Sequence, residues 1–476
     1  MYNENNGFMG DYFIMNCKTA VVLAAGAGTR MKSEKPKVLH EVCGKPMVSH
    51  VTSQAEAAGA DNIIVVIGHG ADQVKNAIDD GKLKFAVQSE QLGTGHAVKQ
   101  AVGAVPDEGG VFVLCGDTPL ITAETLKGFA DFHEKSGNAV TVLTAMFDDP
   151  FGYGRIIRAA DGSLLRIVEQ KDANDEEKAV KEVNAGMYCF DAAFLKENIS
   201  KLSADNAQKE YYITDLIGMA VDSGAGAGAY TVGDADEIMG VNNRVQLAAA
   251  AKVMRRRIAE KHMLNGVTII DPDNVYIEND VVIGNDTEIW PGAQLKGKTV
   301  IGSGCVIGSE TVIEDSEIGD GTDILKSVIK ESSVGSGTHV GPFAYMRPGS
   351  RVGSDCKVGD FVELKNANFG DGSKAAHLAY IGDADVGEDV NVGCGVIFAN
   401  YDGVHKHRSV VGDRAFIGSN SNLVAPVSIQ EDAYIAAGTT VTREIPSGAL
   451  CVGRSRETVE EGWVAKKGLM KEKRKR

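Results

Sequence analysis

The chain has 476 residues, enough for two or more domains with cores of their own. Its formal net charge is −16, from 49 basic and 65 acidic side chains, which argues against non-specific nucleic-acid binding and requires local cationic pockets for any anionic substrate. The eight cysteines are scattered with no Cys-x-x-Cys pair, against a zinc site or disulfide framework and in keeping with a reducing, cytoplasmic setting; no apolar run is long enough to cross a membrane, and no signal-peptide pattern opens the chain.

Residues 1–14 read as an unstructured extension ahead of Met15. The aliphatic run from Val21 then ends in Leu23-Ala24-Ala25-Gly26-Ala27-Gly28-Thr29-Arg30, a buried strand entering a tight glycine loop. Such a loop lets backbone N–H groups approach phosphate oxygens, and Arg30 and Lys37 put two cations beside it. Val48–Ala58 and Glu124–Lys135 read as helices, and Ile63–Ile67 and Val111–Leu114 as buried strands. This alternation predicts an open α/β sheet with helices on both faces over residues 15–243, with ligands beyond the carboxyl ends of the strands. The glycine loop and Gly116-Asp117 should then line one crevice. Asp117 has a second reading as the start of a turn with Thr118-Pro119, and Asn242-Asn243 as a helix N-cap pair.

Residues 244–264 read as a linker helix. Leu247, Met254 and Ile258 share a stripe, and Arg255, Arg256 and Arg257 form a solvated basic face. Over 265–476 the pattern changes. Val282-Ile-Gly, Val300-Ile-Gly, Val306-Ile-Gly, Arg351-Val-Gly, Lys357-Val-Gly and Phe416-Ile-Gly belong to a recurring aliphatic-glycine step, often six residues long. That is the hexapeptide signature of a parallel β-helix and accounts for the density of the chain's 56 glycines in this half. Two stretches, Asn366–His377 and Ile397–Ser409, break the step, and insertions of this kind commonly gather on one face of a solenoid and carry the binding site. They contain His377, Asn400-Tyr401-Asp402-Gly403, His405, Lys406 and His407. His405 and His407 with Lys406 could mimic a metal site; the simpler reading is a solvated loop. The basic end from Lys466 to Arg476 reads as a disordered tail, with folding over an anionic ligand as the alternative.

The first half resembles the sugar-nucleotide pyrophosphorylases through its Leu-Ala-Ala-Gly-x-Gly-Thr-Arg-Met and Pro-Lys-x-Leu motifs. The second resembles the left-handed β-helix of hexapeptide acyltransferases, and its hand is taken from that resemblance. Together, from Cys17 to Trp463, the chain resembles the bifunctional N-acetylglucosamine-1-phosphate uridylyltransferase and glucosamine-1-phosphate acetyltransferase family of bacterial cell-envelope synthesis. Gln88–His96, Cys115–Leu120, Tyr153–Ile156, Ile167–Asp172, Gly240–Arg244, Arg347-Pro-Gly, Phe361–Lys365 and His377-Leu-x-Tyr380 carry the resemblance in order.

The resemblance implies acetyl transfer from acetyl-CoA to glucosamine 1-phosphate, then uridylyl transfer from UTP with release of pyrophosphate. Leu23, Ala24, Ala25, Gly26 and Lys37 would hold the nucleotide, with Gln88, Gly93 and Thr94 on the uracil. Gly154, Glu169, Asn184 and Asn242 would bind the sugar phosphate, Asp117 and Asn242 would hold Mg²⁺, and Arg30 and Lys37 would steady phosphate charge in catalysis. In the second half His377 would be the catalytic base, a task that suits a histidine's ordinary pKa of ~6.5. Arg347, Lys365, Tyr380 and Asn391 would grip the sugar phosphate, and Asn400, Tyr401, Ser419, Ala437 and Arg454 acetyl-CoA. A homotrimer with acetyl sites between subunits is implied as well, with no nucleic-acid partner and no membrane insertion. Two departures stand out: Cys115 where the family often has Tyr, and the run Cys394–Ala399, including Phe398-Ala399, where it is smaller and more polar. Two alternatives differ in activity: a nucleotidyltransferase whose β-helix only assembles subunits, and a non-catalytic regulatory subunit. Retention of Arg30 and Asp117 argues against the second, and the His-Leu-x-Tyr and Asn-Tyr-Asp-Gly segments against the first.

Overall fold

The computed structural model describes residues 17–206 and 208–469; the extension at 1–14 and the basic end at 470–476 lie outside the described residues. The chain forms two compact units, which divide between Arg257 and Ile258 within the helix Arg244–Leu264.

The first unit is built on a sheet whose strands lie in the order Ala227–Thr231, Val140–Met146, Glu182–Asp191, Gly110–Cys115, Thr19–Ala24, Asn62–Ile67 and Lys84–Val87. Only Glu182–Asp191 runs antiparallel to its two neighbours in this order. Strand alternation divides the core in two. Ala20, Val22, Ala24, Phe112 and Leu114 join one buried cluster with the helices Met47–Ala57 and Ala123–Ser136. Val21, Val111 and Val113 join another with the helices Thr94–Ala101 and Asp215–Asp222. The expected helices and strands are present to within a residue or two at their ends. Helix Ala123–Ser136 starts where the Thr122 side chain accepts from Thr125 N–H and stops at Gly137, whose φ is +61°.

One expectation needs correction. The basic cluster of the linker helix is not wholly a solvated face: the Arg257 guanidinium donates to Leu120 O at 2.6 Å and to Asp234 Oδ2 at 2.8 Å. A forked donor can satisfy a loop carbonyl and a carboxylate together, so Arg257 secures the chain just after Asp117.

The second unit is a parallel β-helix with three short strands per coil, two in one sheet and the third in another. Ile283, Ile301, Ile318, Val334, Val352, Phe369 and Val386 stack in register as one buried column. Their outward neighbours alternate away from it, as a strand period of two requires. The first expected interruption is not a loop. Strand Lys357–Lys365 pairs with Lys374–Gly382 in a single register, each paired residue opposite the one 17 positions later, so Asn366–His377 belongs to an ordinary coil. A coil of 17 rather than 18 residues breaks the six-residue count without breaking the ladder. The second interruption is a true excursion: Ala384 pairs with Ser409 and Ile397 with Asn422, 25 residues on, and the surplus forms the loop between Asn400 and Arg408.

Candidate active sites

In the first unit, strands Thr19–Ala24 and Gly110–Cys115 are parallel neighbours in which Leu23 pairs with Cys115. Their following loops therefore emerge at the same end of the sheet. Gly116 N–H donates to Leu23 O at 2.9 Å, tying one loop to the other. Gly28 has a φ of +60°, and a Cβ there would run into the Lys37 side chain. Glycine is thus required both for the left-handed turn and for the close approach of the cation. A Cβ on Gly26, by contrast, would meet nothing within 4 Å, so the backbone there faces open space.

Four predicted residues converge in this crevice. Lys37 Nζ bonds Asp117 Oδ2 and lies 3.2 Å from Asn242 Oδ1, which also accepts from Arg30 Nη2 at 2.9 Å. Asp117 O accepts from Val241 N–H at 2.9 Å, which brings the Gly240–Arg244 segment alongside. The two alternative readings are resolved by geometry. Asn243, not Asn242, caps the linker helix, its Oδ1 accepting from Val245 and Gln246 N–H. Asn242 is left facing the cations, and the Asp117 carboxylate faces Lys37 rather than its own turn.

A second group lines the adjoining wall. A Cβ on Gly154 would meet Ile167, Glu169 Oε1 at 3.4 Å and Asn184 Cβ at 3.5 Å, so Gly154, Glu169 and Asn184 surround one point. Burial, with Asp172 and Asp215 nearby, raises the Glu169 carboxyl above its ordinary range. Asn184 accepts from Gly186 N–H and donates to Tyr188 Oη, at a register shift in its strand. Gln88 is buried and donates to Gly93 O at 3.2 Å; its backbone N–H bonds Ile67 O. Gly93 precedes the helix Thr94–Ala101, and Thr94 Oγ1 accepts from Ile213 N–H at 3.3 Å. Cys115 turns its sulfur to Gly186 O at 3.2 Å, and burial pushes the thiol up to about 12, so it stays protonated at neutral pH.

Sequence reasoning gave Arg155 no role. It is fully buried, bonds Tyr153 O and donates to Gln170 Oε1 at 2.8 Å, while Gln170 accepts from Gly152 N–H. Arg155 thereby holds the backbone on which Gly154 sits. A charged residue between Gly154 and a β-branched pair was the only signal, and nothing local said that it turns inward.

In the β-helix, His377 lies in the strand Lys374–Gly382 with its Nδ1 2.7 Å from Asp360 Oδ1, its ladder partner one coil back. The histidine side chain is 60% exposed. Lys374, Asn391, Phe416 and Tyr434 are in register, so His377, Ser419 and Ala437, each three residues further on, follow one corner of the coils. Arg454 Nη1 donates to Ala437 O at 2.7 Å and joins that corner. Asn391 itself lies on the flat before it.

The next corner holds a different group. Buried Asp383 accepts from Lys365 Nζ at 3.0 Å, Asn366 Nδ2 at 2.8 Å and Asn400 Nδ2 at 2.5 Å. Asn400 Nδ2 is also 3.4 Å from Tyr380 Oη, and the Arg347 guanidinium donates to Glu363 at 3.0 Å. Lys406 comes within hydrogen-bonding reach of Lys365, which with Arg347 depresses its pKa. Lys365 thus sits on the buried Asp383 carboxylate with Lys406 close by, while Arg347 is held by Glu363. Asp383 was missed by sequence reasoning because Ile-Gly-Asp recurs in the repeat, and only the 25-residue coil distinguishes this copy.

The excursion is shaped by Asp402, which accepts from Val404 and His405 N–H and faces His407 Nε2 at 2.7 Å; these bonds hold its carboxyl down to about 2. Tyr401 is exposed and its hydroxyl donates to Gly403 O. Arg408 pins the loop's end through Asp385 and the Asn366 and Ala384 carbonyls. Phe398 points into the core in register with Leu423, so this departure in the Cys394–Ala399 run is an interior substitution.

A crevice lined by Arg30 and Lys37 at the carboxyl edge of an α/β sheet, followed by a histidine-bearing β-helix, is the arrangement of a two-domain transferase. Residues 20–181 match the MobA-like NTP transferase domain and residues 258–366 the GMPPB C-terminal domain. The bifunctional protein GlmU of Clostridioides difficile (strain 630) is 55% identical over 95% of this chain and 98% of its own. That of Alkaliphilus oremlandii (strain OhILAs) is 54% identical over 95% and 99%, and that of Alkaliphilus metalliredigens (strain QYMF) 52% over 95% and 99%. The chain belongs to the GlmU family of bifunctional uridylyl- and acetyltransferases.

Proposed function

We propose that the crevice of residues 15–243 is the uridylyl centre and the corner region of residues 265–476 the acetyl centre, joined through the helix 244–264. The enzyme acetylates glucosamine 1-phosphate and then uridylylates the product to UDP-N-acetylglucosamine. The observation that carries the first assignment is the convergence of Asp117 and Asn242 oxygens on Lys37. Two hard oxygen donors around a cation-holding point suit Mg²⁺, which prefers one or two protein oxygens plus phosphate. Asp117 and Asn242 would hold it, and when bound it would neutralise phosphate charge. UTP would lie along Leu23–Gly26, its base near Gln88, Gly93 and Thr94. Gly154, Glu169, Asn184 and Asn242 would position the sugar phosphate for in-line attack on the α-phosphorus. Arg30 and Lys37 would steady the charge on the transferring and leaving groups, so positioning and electrostatics supply the rate.

At the second centre His377 takes a proton from the glucosamine ammonium through Nε2, freeing the amine to attack the thioester carbonyl of acetyl-CoA. Backbone N–H groups near Tyr401 or Ser419 are suited to the tetrahedral oxyanion. Arg347, Lys365, Tyr380 and Asn391 would take the sugar phosphate, and Asn400, Tyr401, Ser419, Ala437 and Arg454 the CoA thioester. Asp360 fixes the His377 ring and offsets its positive charge, so Asp360→Asn should lower acetyl-transfer kcat by about 10-fold or more with little change in KM, read in a pH-rate series.

Phe343, Phe361 and Leu378 extend an exposed apolar ridge along the His377 corner; the two rings stack at 5.3 Å, and all three residues have positive φ. Bulky side chains held outward in that conformation favour burial against a second copy of the chain. A homotrimer with shared acetyl sites is the reading these features support. Asp402→Ala should raise the KM for acetyl-CoA about 10-fold through loss of the loop's charged hydrogen bonds. The Asp402 shift is downward, so its contribution to the loop is present above pH 3.8 and disappears as pH falls toward about 2.

The test is incubation of the purified protein with glucosamine 1-phosphate, acetyl-CoA, UTP and Mg²⁺, with mass-spectrometric detection of UDP-N-acetylglucosamine. Product formation only from supplied N-acetylglucosamine 1-phosphate would overturn the assignment of His377.

A further inference from the structure

Two cysteines far apart in sequence meet at the end of the first unit's sheet away from its crevice. Cys17 Sγ lies 2.9 Å from Cys189 Sγ, across a sequence separation of 172 residues. Cys17 lies two residues before strand Thr19–Ala24, and Cys189 lies near the end of Glu182–Asp191. These strands are not neighbours: Gly110–Cys115 runs between them, pairing Thr19 with Val111 on one side and Cys189 with Phe112 on the other. The sulfurs meet because the intervening strand begins with glycine. A Cβ on Gly110 would collide with the Cys17 sulfur, so any other residue there would close the passage.

Both thiols are buried in the same cluster. Cys17 also lines a cavity of about 520 Å³ with Gly109, Gly110, His133, Asn138 and Asp191. That cavity shares no lining residue with the Lys37–Asp117 crevice and brings solvent space up to one residue of the pair. Cys43, Cys115, Cys305 and Cys356 each turn the sulfur to a backbone carbonyl instead.

We infer that Cys17 and Cys189 are a dithiol–disulfide couple that staples strand Thr19–Ala24 to strand Glu182–Asp191 across Gly110. Oxidation proceeds by exchange with a small-molecule disulfide. Cys17 sulfur attacks it, forming a mixed disulfide and releasing one small thiol. Cys189 sulfur then attacks the Cys17 sulfur and releases the second small thiol. One disulfide bond is formed in the protein and one is consumed; the two cysteine protons leave on the two small thiols, and the reagent takes up two electrons. The bond closes a loop through most of the unit, including all the strands that carry the crevice, and so restricts its unfolded state strongly. The pair stands at the opposite end of the strands from Leu23–Gly26 and Asn184, so uridylyl turnover is retained while the unit becomes harder to unfold.

The test uses full-length protein incubated with oxidised glutathione, then alkylated, digested without reduction and mapped by mass spectrometry, with melting measured in parallel. The expected result is a peptide pair linked Cys17–Cys189 and a rise in Tm of the first unit of roughly 5 °C or more, reversed by dithiothreitol. Cys17→Ser should abolish both the linked pair and the shift, with Cys189→Ala as a second variant that places no hydroxyl in the core. Glutathione found only on exposed Cys394, with Cys17 and Cys189 both alkylated on unfolding, would overturn the inference. So would a linked pair that leaves Tm unchanged.

Discussion

Asp117→Ala is expected to lower uridylyl transfer by about 10²–10³-fold or more while acetyl transfer stays within about twofold. Asp117 is the carboxylate on which Lys37 is centred, and its removal leaves Lys37 and Arg30 sharing only the neutral oxygen of Asn242. The loss therefore combines a missing anionic ligand for the metal with a cation free to move. Asp117→Asn separates the two effects. It keeps an oxygen for Lys37 and loses the charge, so it should retain nucleotide binding better than alanine and recover little turnover. The measurement is pyrophosphate release from UTP and N-acetylglucosamine 1-phosphate, beside thiol release from acetyl-CoA by the same preparation. Equal loss of both half-reactions in a folded variant would contradict two separate centres.

His377→Ala should cost acetyl transfer about 10²–10⁴-fold, the usual contribution of a positioned general base, and leave uridylyl transfer from supplied N-acetylglucosamine 1-phosphate unchanged. The side chain is exposed and its ring bonds Asp360, so its loss opens no cavity in the β-helix core. The melting temperature should accordingly stay within a few degrees, which distinguishes a chemical from a structural loss. The remaining rate should follow only the supply of free substrate amine, rising with pH as the ammonium loses its proton to solvent, because no side chain then takes that proton. A variant with an unchanged pH profile would move the base to another group.

These two variants bear on residues that local sequence made visible for different reasons. Asp117 follows a buried strand, and the α/β rule places the residue after such a strand at the ligand edge. His377 had no such rule: its status rested on the His-Leu-x-Tyr resemblance. Its supposed loop dissolved into an ordinary coil once the 17-residue pairing of Lys357 with Lys374 was seen. Hexapeptide counting is sensitive to one missing residue, whereas the ladder absorbs it at a corner.

By itself the sequence determined the two-part organisation, the alternating strands and helices of the first unit, the repeating coils of the second, and the glycine loop with its cations. These follow from periodicities of two, 3.6 and six residues, which are local and survive without knowledge of distant neighbours. Tertiary structure alone decided which of Asn242 and Asn243 caps a helix and which faces Lys37. It also decided that Arg155 turns inward, that Asp383 gathers Lys365, Asn366 and Asn400, and that Cys17 reaches Cys189 past Gly110. Apart from the local Asn243 cap, each of those is a meeting of side chains from separate turns, coils or strands, sometimes more than a hundred residues apart. A local pattern says which face a residue takes, but only the packed chain says what waits on that face.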